Sequence, residues 1–199
     1  MSKGPPRDLR PSLREGQSPI AELPTLAAGT HLVVLESTAI AIELAAPKFE
    51  EYLAEEHLDE VRRARTERKQ GDAPGRERYT RYLKALVQVG AASDGTATRA
   101  VGGELEIVPT QDPFAGGTTL AVQVLFRGKP LAGRFLVAAH RVAGKVTTET
   151  ARTDGEGKAR FTMERRGDWM VRLVQMEPSR EPGADWRSYW SSLTFSLGK

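Results

Sequence analysis

The sequence predicts a mainly β protein whose last hundred residues, from about Glu104 to Leu197, fold as an antiparallel sandwich. Two observations carry this. Short segments in which apolar and polar residues alternate recur at regular spacing through that stretch. Between them stand turns such as Arg127-Gly128-Lys129-Pro130 and Asp154-Gly155-Glu156-Gly157, in which glycine takes φ > 0 without steric cost.

In chain order, the expected strands of this half are Glu104 to Pro109, Thr118 to Arg127, Arg134 to Val142, Val146 to Arg152, Lys158 to Glu164, Trp169 to Met176 and Trp186 to Leu197. Seven strands with short connections meet the requirement of an immunoglobulin- or transthyretin-like Greek-key sandwich. Leu120, Val122, Val124 and Phe126 share one strand face, as do Trp169, Val171 and Leu173, so each strand can cover a core.

The first half reads as an incomplete β domain with one or two short helices. Strands are expected at Ser18 to Leu23, His31 to Glu36 and Ala39 to Leu44. Pro47 suits a first helical turn, where its missing N–H costs nothing, and Phe49, Tyr52 and Leu53 make an apolar stripe, giving a helix to about Glu56. A second helix runs from Asp59 to Arg68, with Val61 and Ala64 inward. Tyr79 to Val89 fits both periods; the longer alternation of Tyr79, Leu83, Ala85, Val87 and Val89, ending at Gly90, selects a strand. The division expected is a flexible start over 1–17, a partial N-terminal β domain over 18–102 and the sandwich over 103–199, joined through Ala91 to Gly103.

Composition excludes several functions. With no cysteine in 199 residues there is no disulfide, thiolate metal site or cysteine nucleophile. A net charge of +3, from 29 basic and 26 acidic residues, is too small for a polyanion-binding signature, so nucleic acid is not an expected partner. No run approaches the ~20 apolar residues that span a bilayer. No apolar segment follows the basic start, so the chain as written is expected to be soluble and without an export signal.

No residues form an expected catalytic, cofactor or metal site. His31, His57 and His140 are far apart, and none has a second histidine at ligand spacing. The basic stretch Arg62 to Arg81 reads as a solvated helix face and loop. Glu50-Glu51, Glu55-Glu56 and Glu104 with Glu106 read as exposed carboxylates, the last two as an outer strand face alternating with Leu105 and Ile107. There is no Gly-x-Ser-x-Gly elbow and no phosphate-binding glycine loop, so the protein is not expected to be an enzyme. The candidate ligand or partner face is Trp186, Tyr189 and Trp190; alternation sets Trp186, Ser188 and Trp190 on one side and Tyr189 on the other.

Several ordered motifs carry a resemblance. These are Asp8-Leu9 through Arg14-Glu15-Gly16, Ile42-Glu43-Leu44 before Lys48-Phe49-Glu50-Glu51-Tyr52-Leu53, and Gly75-Arg76-Glu77-Arg78-Tyr79 leading to Lys84-Ala85-Leu86-Val87. Further on come Pro130-Leu131-Ala132-Gly133, Thr153-Asp154-Gly155-Glu156-Gly157, Gly167-Asp168-Trp169, and Asp185-Trp186 leading to Ser192-Leu193-Thr194-Phe195. Together they resemble a bacterial family of unknown function whose members are often described as periplasmic components of cobalt or nickel transport systems. The resemblance implies an exported β-rich protein, and through it the expected function is a binding or accessory protein of the cell envelope linked to nickel or cobalt ions; a protein partner is the other expected associate. The signal peptide and histidine-containing segment that open such members have no counterpart here, and His57 stands where they often have glycine. The rival expectation is an interaction module that pairs with a partner through exposed sheet edges.

Overall fold

In the computed structural model, which describes residues 6–14, 16, 23, 26–90 and 94–198, the alternating segments become strands and the two helical stripes become helices. The elements are β1 (Gly29–Glu36), β2 (Ile40–Leu44), α1 (Ala46–Glu55), α2 (Asp59–Glu67), β3 (Gly75–Val89), β4 (Leu105–Pro109), β5 (Thr119–Phe126) and the two-residue β6 (Lys129–Pro130). They continue with β7 (Phe135–Val142), β8 (Lys145–Arg152), β9 (Lys158–Thr162), β10 (Gly167–Pro178) and β11 (Trp186–Leu197). Apart from Leu23, the strand expected at Ser18 to Leu23 lies outside the described residues.

Two sheets face each other. The larger has seven strands in the order β1-β3-β11-β10-β7-β8, with β2 joined to the first part of β3. The smaller has four, with β4 on one side of β5 and β6 and β9 on the other. Between them, Leu120, Val122, Val124 and Phe161 meet Leu86, Leu136, Trp169, Val171, Leu173 and Leu193, all buried. The strand facings expected for β5 and β10 are those observed.

All pairings among β4 to β11 are antiparallel, as expected. The large sheet is nevertheless mixed, because β3 pairs in parallel with β11, from Glu77 opposite Trp186 to Ala85 opposite Thr194. This strand of the first half thus lies inside the sheet built by the C-terminal strands. The alternation read for Tyr79 to Val89 is that of the strand observed. Tyr82 and Leu86 enter the inter-sheet core, whereas Tyr79, Leu83, Ala85, Val87 and Val89 are half-buried on the opposite face. A strand covered on both sides does not alternate cleanly between polar and apolar residues.

That opposite face carries the helices. Phe49 and Leu53, four residues apart and fully buried, pack with Leu58 and Val61 against Val174, Met176 and Trp186. α1 ends in a Schellman turn: Leu58 N–H reaches the Leu53 carbonyl at 2.8 Å, with His57 left-handed at φ +55°. α2 ends alike, with Gln70 N–H to the Arg65 carbonyl at 2.9 Å and Lys69 at φ +55°. Gly75 admits the ring of Phe49; a Cβ there would stand 2.3 Å from ring carbons. The result is three layers: helices, seven-stranded sheet, four-stranded sheet.

Candidate functional site

β1 lies at an edge of the large sheet, and the chain between Asp94 and Glu106 passes beside it into β4. With N-terminal residues that include Pro6, Leu9 and Leu26, the two bound a cleft of about 790 Å³. Its apolar wall includes Leu32, Val34 and Leu105. Its polar lining includes Thr30, Tyr82 and Lys84.

Lys84 lies on the sandwich face of β3, between Tyr82 and Leu86, where its ammonium needs an acid partner. Glu106 supplies it, with Nζ and Oε1 2.7 Å apart and 3% and 2% of the two side chains exposed. Glu106 also accepts the backbone N–H groups of Val101 at 2.7 Å and Gly102 at 3.0 Å, so its carboxylate folds the incoming chain around itself. Burial pulls the Lys84 ammonium below its ordinary value, against the opposing pull of the Glu106 hydrogen bond. The remaining acceptor near Nζ is the Arg99 carbonyl at 3.5 Å. Farther along β1, four residues from the Val34 that stands opposite Lys84, Thr30 is 5% exposed, and its hydroxyl has no hydrogen-bond partner among the described residues. The buried charge pair, the Thr30 hydroxyl and the apolar walls all border this one cleft.

Glu106 corrects the outer-face reading of its alternation with Leu105 and Ile107: all five residues of β4 are buried. The other carboxylates are mostly engaged too. Glu104 accepts from Tyr82 Oη at 3.0 Å and Arg127 Nε at 3.2 Å, Glu50 from Arg65 at 3.0 Å, and Glu56 pairs with Arg172. Most of the basic stretch is exposed, as a solvated face would be, but several of its arginines are engaged within the fold. Arg65, 1% exposed, donates to the Gln70 and Ala73 carbonyls at 2.7 Å each, Arg76 pairs with Asp185 at 2.8 Å, and Arg78 pairs with Glu181 at 3.0 Å.

Trp186, Tyr189 and Trp190 do not gather on one surface. Trp186 is 1% exposed beneath the helices. Tyr189 lies in the inter-sheet core, its hydroxyl donating to Glu177 at 2.9 Å and accepting from Arg127 Nη2 at 2.8 Å. Trp190 is half-buried and stacks on Tyr52, with ring centroids 5.5 Å apart. Together with Ser188 these two rings surround Glu77, whose Oε1 accepts from Ser188 Oγ, from Tyr52 Oη at 3.3 Å and from Trp190 Nε1 at 3.5 Å. Burial raises the Glu77 carboxyl above the usual range despite those bonds.

The histidines remain apart. His31 Nε2 is 2.9 Å from the Ala27 carbonyl, His57 caps α1 against the Phe135 ring, and His140 stacks on Trp169 with Nε2 2.7 Å from the Arg166 carbonyl. Among the described residues, no three or more His, Asp or Glu side chains are grouped to hold a metal ion. No helix among them is long and apolar enough to cross a membrane.

The architecture is that of a mainly β sandwich with a helical layer on one outer face. The model of a domain of unknown function, DUF4198, matches residues 7–177, and the chain belongs to that family. No curated protein and no solved structure matches it.

Proposed function

We propose that this chain is a non-enzymatic binding or accessory protein of the cell envelope, and that the cleft between β1 and the Asp94 to Glu106 segment seats its ligand. The observation that carries this reading is the cleft itself, with the shielded Lys84–Glu106 pair and the unpartnered Thr30 hydroxyl in its lining. The periplasmic location and a link to cobalt or nickel uptake rest on the motif resemblance. Native mass spectrometry of the purified full chain tests the cleft: a retained small molecule is expected, and Val34→Trp should release it by filling space beside a half-exposed residue. Equal retention by that variant would remove the cleft as the seat. Elemental analysis, then calorimetric titration of stripped protein with nickel, cobalt, copper and zinc, tests the metal link. Uptake weaker than about 1 mM for every ion ends it.

A second reading, an interaction module that pairs through a sheet edge, is favoured by β8, where every residue but Ala151 is exposed. A photo-reactive side chain at position 148, irradiated in cells, should give protein adducts if that edge is used.

A further inference from the structure

We propose that two copies of this chain pair through β8, antiparallel and edge to edge, in a two-fold register centred on Thr147. The inference rests on the sheet-edge reading and names the occupant of that edge. β8 ends the seven-stranded sheet, and β7 is its strand neighbour among the described residues.

The hairpin between them determines which backbone groups face outward. Ala143 and Gly144, at φ +48° and +80°, are the two left-handed residues of a type I′ turn, which sets Val142 opposite Lys145. At the far end Thr153 N–H donates to the Arg134 carbonyl at 2.8 Å. Bonded and non-bonded pairs alternate along an antiparallel ladder. Lys145, Thr147, Glu149 and Ala151 therefore turn their backbone groups to β7, while Val146, Thr148 and Thr150 turn theirs to the open edge.

A second β8 must match outward-facing residues with outward-facing residues. With Thr147 opposite itself, Val146 bonds Thr148 of the second copy, and Lys145 stands opposite Glu149 of the second copy, twice over by symmetry. These are non-bonded positions, where side chains across the ladder are closest. Shifting the centre by one residue either way loses both charge pairs, and a further step sets Lys145 or Glu149 against its own copy. Charge thus selects one register. Lys145 forms no ion pair among the described residues. Glu149 is held on the sandwich side of β8 by the Thr162 N–H, 3.0 Å from Oε2. Val146, 56% exposed, would lie against a threonine of the second copy. The strand has no proline or bulge to block pairing.

Sedimentation velocity of the full chain across a concentration series at low salt tests this. A monomer–dimer equilibrium is expected. Thr148→Pro removes an outward N–H and leaves the β7 ladder intact, and Lys145→Glu sets like charges together; each should weaken the dimer at least about tenfold. Lys145→Glu combined with Glu149→Lys should restore it. A parent chain that is monomeric up to about 1 mM, or a dimer indifferent to both single variants, overturns the proposal. Adducts from position 148 to a foreign protein alone overturn the second copy as occupant, and no adducts at all overturn the edge reading with it.

Discussion

Lys84 on β3 and Glu106 on β4 join the two sheets at 2.7 Å where solvent does not screen them. Removing one partner should leave the other as a buried unpaired charge. Lys84→Met is therefore expected to cost about 3–5 kcal/mol. Lys84→Met with Glu106→Gln should recover much of that loss, because an amide oxygen can still accept from Val101 or Gly102. Urea unfolding of the parent and the two variants checks it; a double variant no more stable than the single would mean that a lone buried Glu106 charge is not the source of the loss.

Trp169 is 5% exposed, stacks on His140 with centroids 4.2 Å apart, and donates its Nε1 hydrogen to the Glu164 carbonyl at 3.3 Å. Trp169→Ala should cost about 3–5 kcal/mol, since strands held on both sides cannot close over the cavity. Trp190→Ala, at a half-buried ring, should cost less. Paired denaturant melts decide, and a loss below about 1 kcal/mol at Trp169 would contradict its core position.

Gly75 and Phe49 form a close contact that a single methyl disrupts. Gly75→Ala should destabilise by about 1–3 kcal/mol, because the ring it displaces is fully buried. Phe49→Leu in the same chain should relieve part of that clash, giving a non-zero coupling in a double-mutant cycle. Additive losses would show that the helix layer shifts freely.

Glu77 gives a pH dependence whose sign follows from its raised carboxyl. Below the unfolded carboxyl value of about 4, both folded and unfolded chains carry the proton and its contribution to stability is complete. As pH rises from there through the higher folded value, that contribution is lost. Glu77→Gln, whose amide oxygen can accept the same three bonds, should match the parent near pH 4 and exceed it in thermal stability at neutral pH. A variant less stable than its parent at neutral pH would show that the ionised carboxylate is needed.

Local patterns made most strands legible. Leu120, Val122 and Val124 alternate because one face of β5 meets the core, and the Pro47, Phe49 and Leu53 pattern marks α1 without any knowledge of its neighbours. The left-handed His57 could also be anticipated, as a helix stop. The parallel bond of β3 to β11 could not be, since no residue in either strand names a partner so distant. The cleft escaped for the same reason. Glu106 alternates with apolar residues as a solvent-facing acid would, and its partner lies on the other sheet. A lysine between Tyr82 and Leu86 on one strand face was the available sign that an acid had to be found elsewhere.

The pairing of β3 with β11 also orders events during synthesis. Arg78 and Arg187, neighbours in the finished sheet, are separated by 109 positions in the chain. β3 leaves the ribosome long before β11 exists, so one of its sides must wait unbonded while β4 to β10 are made. Contacts of such sequence separation form slowly, and an open strand is a template for wrong pairing in the meantime. The interval between making residue 89 and residue 186 is thus the period in which β3 is open to pairing with the wrong strand.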